Sequence, residues 1–374
     1  MAVSDMVGQP QALSRRRSDW LARYRAGDRS QLAILLISAL SVLALFSLLF
    51  SITTGASDVS ALDVVHNLMR NAGTATALSM RDHIIIFDIR LPRAILGFLI
   101  GASLAVSGAI MQGLFRNPLA DPGLVGVSSG ASFGAVVMIV LSGTVAAPLY
   151  ALLGIYALPL AAFAGGLATT LLLYSIATRQ GQTSVATMLL AGIALGALAM
   201  AATGVLVYMA DDKQLRDLTF WGMGSLAGAT WLKIAAAGPI ILLSLLAIPF
   251  MAKGLNAITL GEAAAFHMGV PVQRLKTAAI LVVAAATGAS VAVSGGIGFV
   301  GIVVPHLLRM LIGPDHRYLL PASALLGGTL LIFADMLART IVSPAEMPIG
   351  IITAAVGGPF FLWILLRNRT RLAL

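Results

Sequence analysis

The sequence predicts an all-α polytopic membrane protein with about ten transmembrane helices and an internal inverted repeat. Three observations predict it. Apolar residues make up 59% of the 374 residues and charged residues only 10%, against about half and a quarter in a soluble domain. Apolar runs of helical length recur along the chain, and a helix needs roughly 20 residues to cross the ~30 Å hydrocarbon layer. The string GASLAVSG at 101–108 returns as GASVAVSG at 288–295, half a chain later. The 38 glycines and 15 prolines fit this class, because small residues let helices pack closely where no hydrophobic force drives them together. Cysteine is absent, which excludes disulfides, thiol chemistry and zinc-thiolate or iron–sulfur sites.

In chain order, a basic tail over 1–30 comes first, carrying Arg15, Arg16, Arg17, Arg23, Arg25 and Arg29. It is not a signal peptide, since a long polar stretch precedes an apolar run of full helix length. The rest, 31–374, reads as one transmembrane permease domain. Its apolar segments fall at about 31–53, 91–114, 123–143, 149–177, 184–210, 231–252, 277–297, 299–313, 319–341 and 347–366. The stretch SGGIGFVGIVVPH, with four glycines and Pro305, interrupts the seventh and eighth. Arg367, Arg369 and Arg371 close the chain. Basic ends flanking apolar helices mark cytoplasmic termini, not nucleic-acid binding. With the N-terminus inside, sixteen of the 24 Lys/Arg fall on the cytoplasmic side, and acidic residues lean outward.

The repeat has an offset of 187, which also sets Pro118 against Pro305. Its copies lie in the second and seventh segments, five helices apart, so they run in opposite directions. Inverted duplication is typical of transporters whose path lies between two halves.

No catalytic residue is expected. The chain has no G-x-x-x-x-G-K-[ST] phosphate loop, no H-E-x-x-H and no G-x-S-x-G, so it does not hydrolyse ATP by the P-loop route. No metal site is expected either: His66, His83, His267, His306 and His316 are scattered without a second ligand at i,i+4. His66 and His83 fall in the outer connection at 54–90, as surface histidines or as transient contacts for a metal-bearing substrate. A relay of mid-membrane carboxylates, the mark of an ion-coupled carrier, is missing. Asp335 and Arg339 stand at i,i+4 near an outer helix end, suited to a local ion pair, and Arg309 near an inner end can snorkel. Two readings remain, an ATP-driven importer subunit powered by a partner and an ion-coupled secondary transporter. The missing relay favours the first.

One polar interruption is longer than a connection needs. The cytoplasmic loop at about 254–276 contains TLGEAAAFHMGVPVQRLK. Gly261 punctuates, Glu262 to Met268 makes two helical turns, Gly269 caps them, and Pro271 starts another helix. Ala263, Ala264 and Phe266 offer an apolar face, either to a cytoplasmic partner or as an interfacial cover on the bundle.

GEAAAFHMG resembles the E-A-A-x-x-x-G loop by which membrane subunits of ATP-binding-cassette importers dock into their ATPase. IRLPRAILGFLIGASLAVSGAIMQGLFRNPLADPGLVGVSSGAS (89–132), TMLLAGIALG (187–196), GGIGFVGIVVPHLLRMLIGPDHRYLLP (295–321) and MPIGIITAAVGGPFFLWIL (347–365) resemble the permease family for iron–siderophore, haem and cobalamin uptake, over roughly 85–374. The resemblance implies ten helices per subunit and a homodimer with the path at its interface. It also implies two cytoplasmic ATP-binding subunits, a periplasmic binding protein, and residence in the bacterial inner membrane. By that likeness Gly261, Glu262, Ala263, Ala264 and Gly269 belong to the ATPase-coupling loop. Arg90, Arg93 and Arg339 match positions that receive acidic residues of the binding protein, which agrees with the cost of dry arginines that no anion meets. The stretches at 211–231 and 343–363 look most like the haem branch, with ferric siderophores and cobalamin as the other cargoes. Met111, Met138, Met200, Met209 and Met223 are candidate path-lining residues. No cofactor is expected: haem would be cargo, and ATP belongs to the partner.

Overall fold

The computed structural model describes residues 28–54, 80–179, 182–342 and 345–367. The tail arginines before Arg29, together with His66, Arg70, Arg369 and Arg371, lie outside the described residues.

Each of the ten apolar segments is helical. They form α1 (Ser30–Thr53), α2 (Leu91–Leu114), α3 (Val127–Leu141), α4 (Ala157–Ala177) and α5 (Val185–Met209). An amphipathic helix α6 (Asp212–Gly222) follows, then α7 (Trp231–Leu246), α8 (Ile248–Thr259) and the short α9 (Glu262–His267). The chain continues through α10 (Val272–Ser294), α11 (Val300–Ile312), α12 (His316–Thr340) and α13 (Ile349–Arg367). A two-residue antiparallel ladder, Thr178–Arg179 against Gln182–Thr183, closes the turn between α4 and α5.

Length divides the helices into classes that the apolar segments distinguish only in part. Among the described residues six helical stretches are long and apolar enough to cross a bilayer, and α7 with α8 makes a seventh span bent by 49°. By contrast α3 and α11 have 15 and 13 residues, only about 20 Å of helix at 1.5 Å per residue. Each short helix follows a Gly/Pro-rich interruption, at 115–126 before α3 and at 295–299 before α11. Arg116 (φ +49°) and Phe299 (φ +68°), the two described non-glycine residues with left-handed backbone, sit at these breaks. The end of the first break packs against the start of α11: Gly301 lies against the Leu104 carbonyl, Asp121 and Pro122, whereas Arg116, Asn117, Pro118 and Gly298 are exposed. Irregular backbone survives at that contact because protein encloses it.

The repeat has a physical counterpart. Ser290 Oγ donates to Ser103 Oγ at 3.0 Å across a separation of 187 residues, the repeat offset itself. Leu96, Ile100 and Ala105 share one core with Ala289 and Val293, whereas Val106, Ala109 and Ile110 share another with Ile280, Val283 and Ala284. So α2 and α10 run antiparallel. The packing partners also correspond, with α2 against α12 in one half and α10 against α4 in the other. The offset does not extend further, since Pro118 lies in the turn before α3 while Pro305 is inside α11.

Close approach comes from small residues. Gly101 faces Gly327, Gly108 faces Gly301, and Gly130 faces Gly165, each backbone against backbone. Van der Waals packing of this kind is what binds helices in lipid. A Cβ at Gly108 would strike the Gly301 carbonyl, which has no flexible end to move aside. Gly108→Ala is therefore expected to cost about 1–3 kcal/mol, read as a lowered thermal midpoint in detergent. Gly143→Ala, where nothing lies within 4 Å, should leave the midpoint unchanged.

Candidate functional sites at the two membrane faces

A seven-residue π-helical stretch, Ile84–Arg90, leads into α2, and such stretches often mark functional positions. It delivers Arg90 and Arg93, one turn apart on one helix face, to one end of the bundle. Arg339 arrives there from the last turn of α12. The three are only 4–6% exposed.

All three have partners within the chain. Arg93 Nε donates to both Asp335 oxygens at 2.9 and 3.0 Å, and its Nη1 donates to both Glu346 oxygens at 2.9 Å. Arg339 Nη2 donates to the carbonyl and hydroxyl of Ser51 at 3.0 and 2.7 Å, while its Nε lies 3.4 Å from Asp335 Oδ2. Arg90 Nη1 donates to the carbonyls of Ile52 and Thr53 at 2.9 and 3.2 Å. Arg90 and Arg339 thus cap the C-terminal carbonyls of α1, where a cation is favoured by the helix dipole. Arg93 ties α2 to α12 and to the segment before α13. The sequence argument that these arginines are costly without an external anion does not hold here, because internal groups already meet them. Arg339 does pair with Asp335, as their i,i+4 spacing predicts. The roles of Asp335 toward Arg93 and of Glu346 leave no local signal, because the partners lie 242 and 253 residues away.

On the opposite face, α9 has the shape the sequence predicts. Gly261 adopts φ +112° and Gly269 φ +80°, both left-handed. Gly269 N donates to Phe266 O and Val270 N to Ala265 O, the paired bonds of a glycine-terminated helix end. Glu262 is fixed in place: its Oε1 accepts from Lys276 Nζ at 2.7 Å, and Lys276 also donates to Thr183 O at 3.0 Å. Thr183 N in turn donates to Gln273 Oε1 at 3.0 Å. One lysine on α10 therefore links α9 to the α4–α5 turn.

The burial of α9 differs from expectation. Ala265 is the fully buried alanine, Ala264 is half-buried, and Ala263 is exposed. The outward apolar groups are Leu260, Phe266 and Met268, at 71%, 70% and 54% exposure. Sequence reasoning found Phe266 but not Leu260 or Met268, whose exposure depends on how α9 docks back onto the bundle.

Beside this loop, Asp315 caps α12 and accepts from Arg317 and from Asn256 Nδ2 at 2.7 Å. Burial pushes the Asp315 carboxyl up, but the hydrogen bonds from Arg317 and Asn256 and the Arg317 charge outweigh it and hold the carboxyl at about 2. It is ionised at neutral pH.

Of the proposed path-lining methionines, Met111 and Met138 are buried in helix packing and line nothing. Met200 and Met209 stand exposed on α5, and Met223 is half-buried.

Comparison with known proteins follows the same outline. A family model described as the FecCD transport family matches residues 43–367. The hemin transport system permease protein HmuU of Yersinia pestis is 47% identical over 325 residues, covering 87% of this chain and 95% of that one. The cobalamin import system permease protein BtuC of Halobacterium salinarum is 46% identical, covering 76% and 74%. The vitamin B12 import system permease protein BtuC of Vibrio vulnificus is 41% identical, covering 78% and 86%. Among solved structures, a metal-chelate type ABC transporter in an inward-facing conformation matches with a TM-score of 0.75 and 31% identity, over 88% of this chain and 98% of that one.

The arginine cluster yields a stability prediction. Asp335→Asn removes the buried charge shared by Arg93 and Arg339, leaving Arg93 with Glu346 and Arg339 with Ser51, and removing one partner of a buried ion pair typically costs about 3–5 kcal/mol. Thermal or denaturant unfolding should record a loss of that order, whereas Asp217→Asn on the exposed side of α6 should fall within about 0.5 kcal/mol of the parent.

Proposed function

The chain belongs to the FecCD transport family as a permease subunit of an ABC importer, and from that premise we propose that its cargo is haem. Ion-coupled secondary transport, the other reading the sequence allows, drops out with this membership. The support for haem is the likeness to the hemin permease, which runs over nearly the whole of both chains. Cobalamin stands second, because a cobalamin permease is almost as similar over a shorter length.

Helix α5 supports a path formed between two copies of the chain. It is apolar on all sides, yet only 6% of it is buried within the protomer. Leu190, Ile193, Met200 and Met209 face outward and would supply a smooth apolar wall with few strong ligands to trap iron. In this reading a homodimer lies in the bacterial inner membrane with both termini in the cytoplasm, in line with the bias of Lys and Arg to one side.

The observation that carries the coupling role is the construction of α9. An apolar patch of Leu260, Phe266 and Met268 projects from a helix pinned behind by Glu262 and Lys276. Gly261, Glu262, Ala263, Ala264 and Gly269 shape this patch for one of two cytoplasmic ATPase subunits, each of which binds and hydrolyses ATP. A substrate-delivering binding protein would dock at the outer end, with Arg90, Arg93 and Arg339 holding that surface in shape and the half-exposed Glu346 at its rim.

Reconstitution with the ATPase and binding protein tests the cargo. Haem should stimulate ATP hydrolysis several-fold while a ferric siderophore and cobalamin leave it at the basal rate. Stimulation by cobalamin alone would transfer the assignment to the second reading. For coupling, Glu262→Arg sets two cations face to face, and Phe266→Asp places a charge in the apolar patch. Both variants are expected to lower ATPase copurification and uptake at least tenfold, and Phe266→Asp, at an exposed position that breaks no ion pair, should leave the thermal midpoint within a few degrees of the parent. Unchanged copurification would remove α9 from the interface.

A further inference from the structure

The bend between α7 and α8 opens a wedge against the cytoplasmic end of α12, and nothing in the transport reading uses it. The wedge is a cavity of about 590 Å³ whose walls include Ile248, Pro249, Ala324 and Leu325, with Lys253 and Arg317 at one end. Each helix carries one of the cations. On α8, Lys253 lies one turn beyond Pro249, and on α12, Arg317 lies one turn before Pro321 and two before Ala324 and Leu325. On α12 the cation is followed by about two turns, roughly 11 Å, of apolar surface, and on α8 by a little over one turn back to Ile248.

Of the two cations, one lacks a charged partner and the other is ion-paired with Asp315 at 2.6 Å. Lys253 is exposed and has no charged partner among the described residues. Asp315 holds Arg317 by Nε and Nη2, which fixes the guanidinium plane and leaves Nη1 free of hydrogen bonds among the described residues. Arg317 also borders a second cavity of about 420 Å³ that it shares with Arg29 and Arg309. The flank of the wedge is greasy, with Leu246 and Phe250 at 67% and 87% exposure, as expected of a surface that faces acyl chains. Cations at headgroup level above an apolar slot between helices match the dimensions and polarity of one lipid.

We propose that the wedge between α8 and α12 is a binding site for an anionic phospholipid of the cytoplasmic leaflet. The phosphate lies between Lys253 and Arg317, and one acyl chain fills the slot along Pro249, Ala324 and Leu325. The cavity is lined by no residue of α9 or α5, and the proposal does not depend on which cargo is carried.

Native mass spectrometry of the full-length permease in mild detergent tests this, with phosphatidylglycerol and phosphatidylcholine of identical acyl chains as probes. The parent should retain phosphatidylglycerol about fivefold over phosphatidylcholine, as one unpaired surface cation at about 1 kcal/mol would provide. Lys253→Gln with Arg317→Gln should abolish that preference and leave phosphatidylcholine retention unchanged. Ala324→Phe fills the slot with both charges intact, and should reduce retention of both lipids. Equal retention of the two lipids by the parent, or an undiminished preference in the charge variant, would overturn the proposal. So would displacement by equimolar glycerol 3-phosphate, which would mark a small-anion site. Loss of ATPase association in the charge variant with lipid preference intact would instead assign the two cations to a protein partner. The charge variant alters only the rim, so its result stands even if Ala324→Phe fails to fold.

Discussion

A backbone carbonyl, an amide or a charge left unpaired in hydrocarbon costs several kcal/mol, because no water is present to take its place. The arrangement of this chain follows from that cost. The end of the break before α3 is packed against the start of α11 and beside α2. The three arginines are aimed at the terminal carbonyls of α1 and at two carboxylates. The small residues of α2 bring backbones into contact, so that dispersion does the work that the hydrophobic effect does in water.

How much of this was legible depends on how local the cause is. The apolar runs are local, and each of them is a helix. The turn chemistry around α9 is local too: Gly261 and Gly269 are glycines because the backbone there is left-handed, and the helix between them starts and stops as the residues dictate. The repeat was readable because Ser103 and Ser290, each flanked by Gly and Ala, must tolerate close contact on both sides. What could not be read was the length each helix spends in the bilayer. The segment 299–313 is short already in the sequence, but 123–143 gives no hint that α3 falls short, because its first residues are spent in the turn before the helix.

Long-range pairing was the other hidden layer. Arg93 meets Asp335 and Glu346 across most of the sequence, and Lys276 meets Glu262 and Thr183 only because the α4–α5 turn folds back beside α10. Charges that look unaccompanied in a membrane sequence invite assignment to an external partner. Here the chain meets its three arginines with two carboxylates and the end of α1, and any binding protein would meet a surface already stiffened. The internal clusters and the α9 link share one design, in which a single long cationic side chain ties together elements distant in sequence.

The hydrogen bond between Ser103 and Ser290 has a mechanical consequence. Two equivalent residues that touch one another must lie on the axis relating their halves, and a point on that axis stays still when the halves rock by equal and opposite angles. Any displacement that keeps the two halves equivalent therefore leaves this contact in place.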